Sequence, residues 1–415
     1  MKQLIVLGAG TGGTMVANRM SRHLPSDWSL TVVEPEGQHL YQPGLLFLPF
    51  GAHDEARDLR DRKKTLHHGV AWKRASVKLV DTDAKTVVLA GDEKLPYDLL
   101  VIATGAGIHP EETGGVLDGE WKKSIHTFYT LEGALALRDA LAAFKGGRLV
   151  VNLVEMPIKC PPAPLEFTFH ADAYFRDRGI RNDVELVYVT PLDGAFTRPI
   201  ASKMLGGILE EKGVHVESEF AASEVDAEAR ILRSYDEREV PYDLLVTIPT
   251  HMGAPYIEAS GLGDELNFVP THENSLVSKA HDDIFVIGDA SNLPASKAGS
   301  VAHFESEVLV ENLRRTIQGR SLAETFDGHS NCFIESGHGK ALLIDFNYDT
   351  EPLPGKYPYP VIGPLSLLAE TRMNHFGKLA FRFIYWNMLL PGRPLPVSNR
   401  MSMAGKYRPK DLASA

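Results

Sequence analysis

Short, nearly uninterrupted apolar runs recur along the chain, each closing on small or polar residues. Residues 3–7 (QLIVL) stop at GAGTGG, and YDLLVIATG (97–105), LVVNL (149–153), YDLLVTIPT (242–250) and DIFVIGDAS (283–291) follow the same plan. Runs that are apolar on both faces predict buried strands of a parallel sheet, not strands with one face in water. Segments of helical character intervene, TMVANRMSRHL after the first run and PLEFTFHADAYF after the third. Strands alternating with helices predict an α/β fold with two Rossmann-type units, followed by a separate C-terminal region.

The two units are related by an internal repeat. YDLLVIATG at 97 returns as YDLLVTIPT at 242, an offset of 145 residues. The same offset places Leu4 on Leu149, Ile5 on Val150 and Val6 on Val151, and a second match at one offset is hard to obtain by chance. The expected organisation is a first segment over 1–110, a second Rossmann-like unit over 111–274, a return to the first unit over 275–330, and a C-terminal region over 331–415.

The first turn carries the chemistry of dinucleotide binding. Gly8, Gly10 and Gly13 fit G-x-G-x-x-G between a strand and a helix, with Thr11 inside the loop. The first glycine permits the turn, the second lets a pyrophosphate approach the backbone, and the third lets helix and strand pack closely. Glu34, 21 residues past Gly13, closes the next strand and suits a ribose hydroxyl. Two later turns, Thr104-Gly105 and Gly288-Asp289, resemble the ATG and GD segments of flavoproteins with two dinucleotide domains. That resemblance implies FAD, with Asp289 on its ribityl chain.

The second turn has lost every glycine. In the repeat register Gly8 falls on Leu153, Gly10 on Glu155 and Gly13 on Ile158, while Pro157, Pro161, Pro162 and Pro164 remove backbone donors. A nicotinamide dinucleotide is not expected there. Cys160 occupies the vacated turn, and the chain's other cysteine is Cys332. Two cysteines make neither a zinc site nor a disulfide framework, so the pair is either catalytic or two unrelated buried thiols. Glu166, six residues beyond Cys160, reads as a general base or as a helix cap. His67-His68 and GHGK (337–340) lack metal-ligand spacing and read as loops, and no metal is expected. His251 and His303 lie in segments near the expected site and receive no role.

The turn IKCPPAPLE, the run GDASNLPASKAGSVAHF and the tail FRFIYWNMLLPGR, together with the FAD segments, resemble the sulfide:quinone oxidoreductases. The likeness is to the subgroup with two essential cysteines and extends over nearly the whole chain. IHTFYTLEG holds no third cysteine of the kind many bacterial relatives carry. The resemblance implies that Cys160 and Cys332 form a disulfide or trisulfide attacked by sulfide, with electrons passing through FAD to a quinone. The sulfane sulfur would leave as polysulfide or on an acceptor such as sulfide, sulfite, a thiol or cyanide. It also implies that Lys297 stands near the flavin, against the alternative of a solvated loop lysine.

Charge and the tail suggest where such an enzyme works. A net charge of −11 argues against nucleic acid as a partner. The last 45 residues run the other way, with Arg372, Lys378, Arg382, Arg393, Arg400, Lys406, Arg408 and Lys410 against Asp411 alone. FGKLAFRFIYWNMLLPG (376–392) is too short and charged to span a bilayer, but Phe376, Ala380, Phe383, Ile384 and Met388 recur at helical spacing, apart from Lys378 and Arg382. A lipid surface is the expected partner, giving a peripheral, monotopic protein; a docked helix or a homo-oligomer contact is the alternative. Phe333 and Tyr385 are the candidates to stack on the quinone, and the apolar loop 40–51 to line the flavin or its access channel. MKQLIVLGAG enters the first strand at once, so no signal peptide is expected. The rivals are the flavin subunit of a flavocytochrome c sulfide dehydrogenase and a non-enzymatic flavin redox scaffold.

Overall fold

The computed structural model describes residues 1–323, 325–395 and 397–408. Lys410 and Asp411 of the basic tail lie outside them. In chain order, β1 (Lys2–Leu7), β2 (Trp28–Val33), β3 (Ala71–Lys73) and β4 (Leu99–Ile102) enter a first sheet. A second sheet takes β5 (Ile125–His126), β6 (Gly147–Leu153), β7 (Val184–Val189), β8 (Val214–Glu217) and β9 (Leu244–Ile248). β10 (Ile284–Val286) then returns to the first, giving the orders β10–β4–β1–β2–β3 and β5–β9–β6–β7–β8. Every pairing within these two sheets is parallel.

The repeat is visible in the hydrogen-bond register. Leu4 lies opposite Leu99 and Val6 opposite Val101; Leu149 lies opposite Leu244 and Val151 opposite Val246. Leu4, Ile5, Val6 and Leu7 are at most 2% exposed, as are Leu149, Val150, Val151 and Leu153. Burial of such a side chain contributes about 1.5–3 kcal/mol, which is why both strands sit at the centre of their sheets.

The turns after β1 and β6 then differ. Gly8 has φ +90°, and a Cβ on it would lie 2.5 Å from the carbonyl oxygen of Ala103. A Cβ on Gly13 would stand 2.1 Å from the carbonyl of Gly8, so the start of α1 (Thr11–Met20) rests directly on the turn. After β6 the chain takes a longer path through 154–162 before α2 (Ala163–Asp177) begins. On that path the Cys160 N–H reaches across to the Lys297 carbonyl at 2.6 Å, tying the second unit to the loop that precedes α3 (Gly299–Ile317).

A third sheet follows, β11 (Ser330–Gly337), β12 (Lys340–Phe346), β13 (Gly355–Tyr357) and β14 (Leu365–Leu367), ordered β11–β12–β14–β13. α4 (Arg372–Ile384) lies across it and continues as a wider π-type turn over Tyr385–Leu389. α4 is amphipathic as its spacing predicts, and its polar side faces the protein. Asn374 is buried and Lys378 and Arg382 turn inward onto carboxylates, while Met373, Phe376, Leu379 and Phe383 are 47–69% exposed. Ile384, expected on the apolar stripe, packs instead beside the buried Tyr385 and Trp386.

Candidate functional site

The glycine loop of the first unit, the turn after β6 and the start of the third sheet converge on one cleft, a cavity of about 410 Å³. Gly8, Gly10, Thr11 and Glu34 line it from the first unit's glycine loop and β2, Thr104, Gly105, Gly288 and Asp289 from the two later turns, and Cys160, Cys332, Glu166 and Phe333 from the cysteine-bearing stretches. Of the loop residues expected to meet a cofactor, Gly13 does not face the cavity; its part is the close packing of α1 on the turn.

The first of these groups fits a flavin dinucleotide. A Cβ on Gly10 would meet no atom within 4 Å, so the backbone there is open to a bulky anion at the N-terminus of α1. Glu34 accepts the Ala9 N–H at 2.8 Å and the Glu36 N–H at 2.9 Å, which fixes its carboxylate at the cavity wall. Burial pushes the Asp289 carboxyl above its usual range. A polar ligand group at that turn would relieve this desolvation.

Cys160 and Cys332 are both unbridged. Cys160 sits in the left-handed region at φ +50°, where a non-glycine residue is held only by its surroundings. Its N–H bond to Lys297 and the Ala163 N–H on its own carbonyl at 2.8 Å provide that hold. Cys332 is on β11, beside Asn331, whose carbonyl accepts the Ser300 hydroxyl at 2.7 Å. The segment 297–300 therefore anchors both cysteine-bearing stretches. Burial, reinforced by Glu166, pushes the Cys160 thiol far up; burial pushes Cys332 up to about 12, with Lys378 opposing the rise at both. Desolvation of this size favours neutral sulfur, as thiol or as a covalent sulfur bridge, over a standing thiolate.

Glu166 does not cap α2. Its carboxylate is wholly buried, accepting the Glu335 N–H at 2.8 Å and the Lys378 ammonium at 2.7 Å through Oε1, while Oε2 has no partner among the described residues. Proline at 162 precedes the helix, and no side chain caps it. A buried acid with one oxygen satisfied and one free can accept a proton.

Lys297 is buried, which excludes the solvated alternative. Its Nζ donates to the carbonyls of Asp289 at 3.0 Å and Ser291 at 2.6 Å, and lies 4.0 Å over the Phe268 ring. It thus braces the Gly288-Asp289 turn. Tyr385 has structural partners of its own. It is wholly buried, its hydroxyl bonded to His39 Nε2 at 2.7 Å and to Thr11 Oγ1 at 2.9 Å, with Tyr41 and Trp386 edge-on to its ring. It locks the C-terminal turn onto the glycine loop, and like Phe333 it lines the cavity. The Phe333 ring stands against Gly377 of α4, where a Cβ would approach it to 2.7 Å. Leu40, Gln42, Pro43, Leu45 and Leu46 bring the apolar loop to the cavity wall.

The remaining histidines stay outside the cavity lining. His251 is buried with Nδ1 on the Pro249 carbonyl, and burial lowers it to about 3; His303 lies inside α3 beside Arg19 and Glu307 and is lowered to about 4. His67 and His68 are loop residues, and His338 forms the tip of the β11–β12 hairpin. Among the described residues no group of three metal-ligating side chains is present.

Sequence reasoning missed Lys378, His39 and Arg62. Lys378 was visible as a polar position on an amphipathic helix, but nothing local says that its face is the buried one. Arg62 donates to carbonyls of the glycine loop and of Gln38, and no motif marks it.

A family profile for pyridine nucleotide-disulphide oxidoreductases matches residues 2–152. The mitochondrial sulfide:quinone oxidoreductase of Mus musculus is 26% identical over 94% of this chain and 86% of its own. That of Dictyostelium discoideum is 25% identical over the same shares. Among solved structures, the sulfide:quinone oxidoreductase of Aquifex aeolicus superposes with a TM-score of 0.78 at 18% identity, covering 95% of this chain and 92% of that one.

Proposed function

We propose that this chain, which belongs to the sulfide:quinone oxidoreductase group of the FAD-dependent pyridine nucleotide-disulphide oxidoreductases, oxidises sulfide at Cys160 and Cys332 and delivers the electron pair to a quinone. One observation carries the reading. A single cavity holds the glycine loop and both cysteines, while the turn that would bind a nicotinamide donor has become the cysteine loop.

Gly8, Gly10, Thr11, Glu34, Thr104, Gly105, Gly288 and Asp289 would hold FAD along the cavity. When bound, FAD supplies a two-electron acceptor for the cysteine thiolate and a donor for the quinone. In this reading the resting pair is a sulfur bridge between Cys160 and Cys332, one of the two neutral forms that their burial favours. HS⁻ attacks one bridged sulfur; the S–S bond breaks, leaving a persulfide on one cysteine and a thiolate on the other. Lys378 lowers the cost of that thiolate, since its ammonium opposes the rise of both thiol pKa values. Glu166 Oε2 takes the proton freed as the persulfide is processed, and the sulfane sulfur leaves on a second nucleophile.

The acceptor end opens beside Phe333 and Phe381, which line the cavity next to α4. The exposed stripe Met373, Phe376, Leu379 and Phe383 lies on the outer side of the same helix, with Val361 and Ile362 more than 80% exposed. No helix among the described residues is long and apolar enough to cross a membrane. A stripe of this kind suits a lipid surface, from which a quinone would enter beside Phe333.

The test is anaerobic. Sulfide added to the purified holoenzyme should bleach the flavin, and quinone presented in lipid vesicles should restore it. Cys160→Ser should slow the bleaching by about 10³-fold or more. Bleaching by NADH in place of sulfide would sink the reading.

A further inference from the structure

Behind the Glu166–Lys378 pair lies a second acid–base pair that the reading above does not use. Glu335 is 1% exposed, and both of its carboxylate oxygens lie 2.9 Å from Nδ1 of His375, whose side chain is 24% exposed. His375 and Lys378 are three residues apart, so they project from the same inward face of α4. Lys378 reaches Glu166 at 2.7 Å, and Glu166 accepts the backbone N–H of Glu335 itself at 2.8 Å. Titratable groups thus lie between the surface at His375 and the free oxygen of Glu166 at the cavity wall, with Lys378 acting on the Glu335 carboxylate through its charge and not through an ion pair.

The reaction needs a supply of protons. Oxidising HS⁻ to the sulfane level releases two electrons and one proton, whereas reducing a quinone to quinol consumes two electrons and two protons. One proton per turnover must therefore come from bulk water.

We propose that His375 and Glu335 form a proton inlet that supplies Lys378 and Glu166, and through them the quinone. The inference rests on the sulfide–quinone reading. The partly exposed imidazole of His375 hands a proton to the buried carboxylate beside it, the carboxylate passes it on, and the pair returns to its starting state after each transfer. The groups facing Glu335 are His375 and Lys378 from α4 and Glu166 from α2. Burial raises the Glu335 carboxyl above its usual range, which makes its protonated form accessible.

The two half-reactions separate the inlet from the chemistry of sulfide. In His375→Gln, flavin bleaching by sulfide should stay within about twofold of wild type, while reoxidation by quinone slows by about 10–100-fold and recovers with added imidazole. Glu335→Gln should slow the same step without recovery. Reoxidation at the wild-type rate and with the wild-type pH profile in both variants would overturn the inlet. So would a slow His375→Gln that imidazole does not rescue, because that marks a structural role. Should either variant lose its flavin, the wild-type enzyme decides. A pH indicator must record proton uptake in the quinone step, slowed in D₂O, and no isotope effect on that step also overturns the proposal. Failure of sulfide to bleach the wild-type flavin is a different result, and it removes the underlying reading instead.

Discussion

The strand–turn–helix units at 2–20 and 147–177 share a hydrogen-bond register at an offset of 145 residues, yet their turns have opposite uses. In the first, Gly8 and Gly13 are demanded by backbone contacts under 3 Å, and Gly10 keeps the space above the turn empty. In the second, Leu153 and Ile158 fill the core, Glu155 is exposed, and the chain bulges out until Cys160 meets Lys297. One scaffold therefore positions a cofactor with its first turn and a reactive sulfur with its second. A turn that no longer has to admit a phosphate is free to carry a nucleophile, because strand and helix packing holds it from both sides.

Gly10→Glu tests that contrast most severely, since it gives the first turn the residue the second carries. The new side chain has room, so the protein should fold, but its affinity for flavin should fall by about a thousandfold, some 4 kcal/mol. Flavin absorbance per protein after gel filtration reads this out. A smaller effect comes from Glu305 on α3, which accepts the Gly288 N–H at 2.6 Å beneath the cofactor turn of the first unit. Burial pushes its carboxyl up to about 7, against 4.5 when unfolded. The folded protein holds the extra proton in that interval, so the stabilisation is complete below about pH 4.5 and is lost as pH rises through 7. The loss amounts to about 3 kcal/mol. Urea unfolding of the holoenzyme at pH 5 and pH 8 should show it, and Glu305→Gln should flatten the difference. The smallest expected effect is that of Glu155→Gly. Leu153, Ile158 and the prolines remain, so stability should change by no more than about 0.5 kcal/mol and no NADH oxidation should appear. Appearance of NADH oxidation would mean that one charge, not the whole turn, closes the second site.

Much of the site was legible because it rests on local rules. Glycine spacing and an acid at the end of β2 are readable within about thirty residues, and the cysteine where a phosphate turn should be is readable through the 145-residue repeat. Glu166 and Tyr385 were placed in the right neighbourhood, but the contacts that hold them were not legible. Each is defined by partners more than 150 positions away, Glu335 and Lys378 for one, Thr11 and His39 for the other. Lys297 was legible as a residue of the site, but its grip on two carbonyls of the Gly288-Asp289 turn was not.

By itself the sequence determined the two sheets, their common register and the asymmetry of their turns, since apolar runs and glycines act through neighbours along the chain. It also determined that 376–384 is a helix with two unlike faces. Only the tertiary structure decided which face turns inward. Glu166 and Asp58 are buried where α4 crosses, and an uncompensated buried carboxylate costs more than an exposed phenylalanine, so Lys378 and Arg382 point in and Phe376 and Phe383 point out.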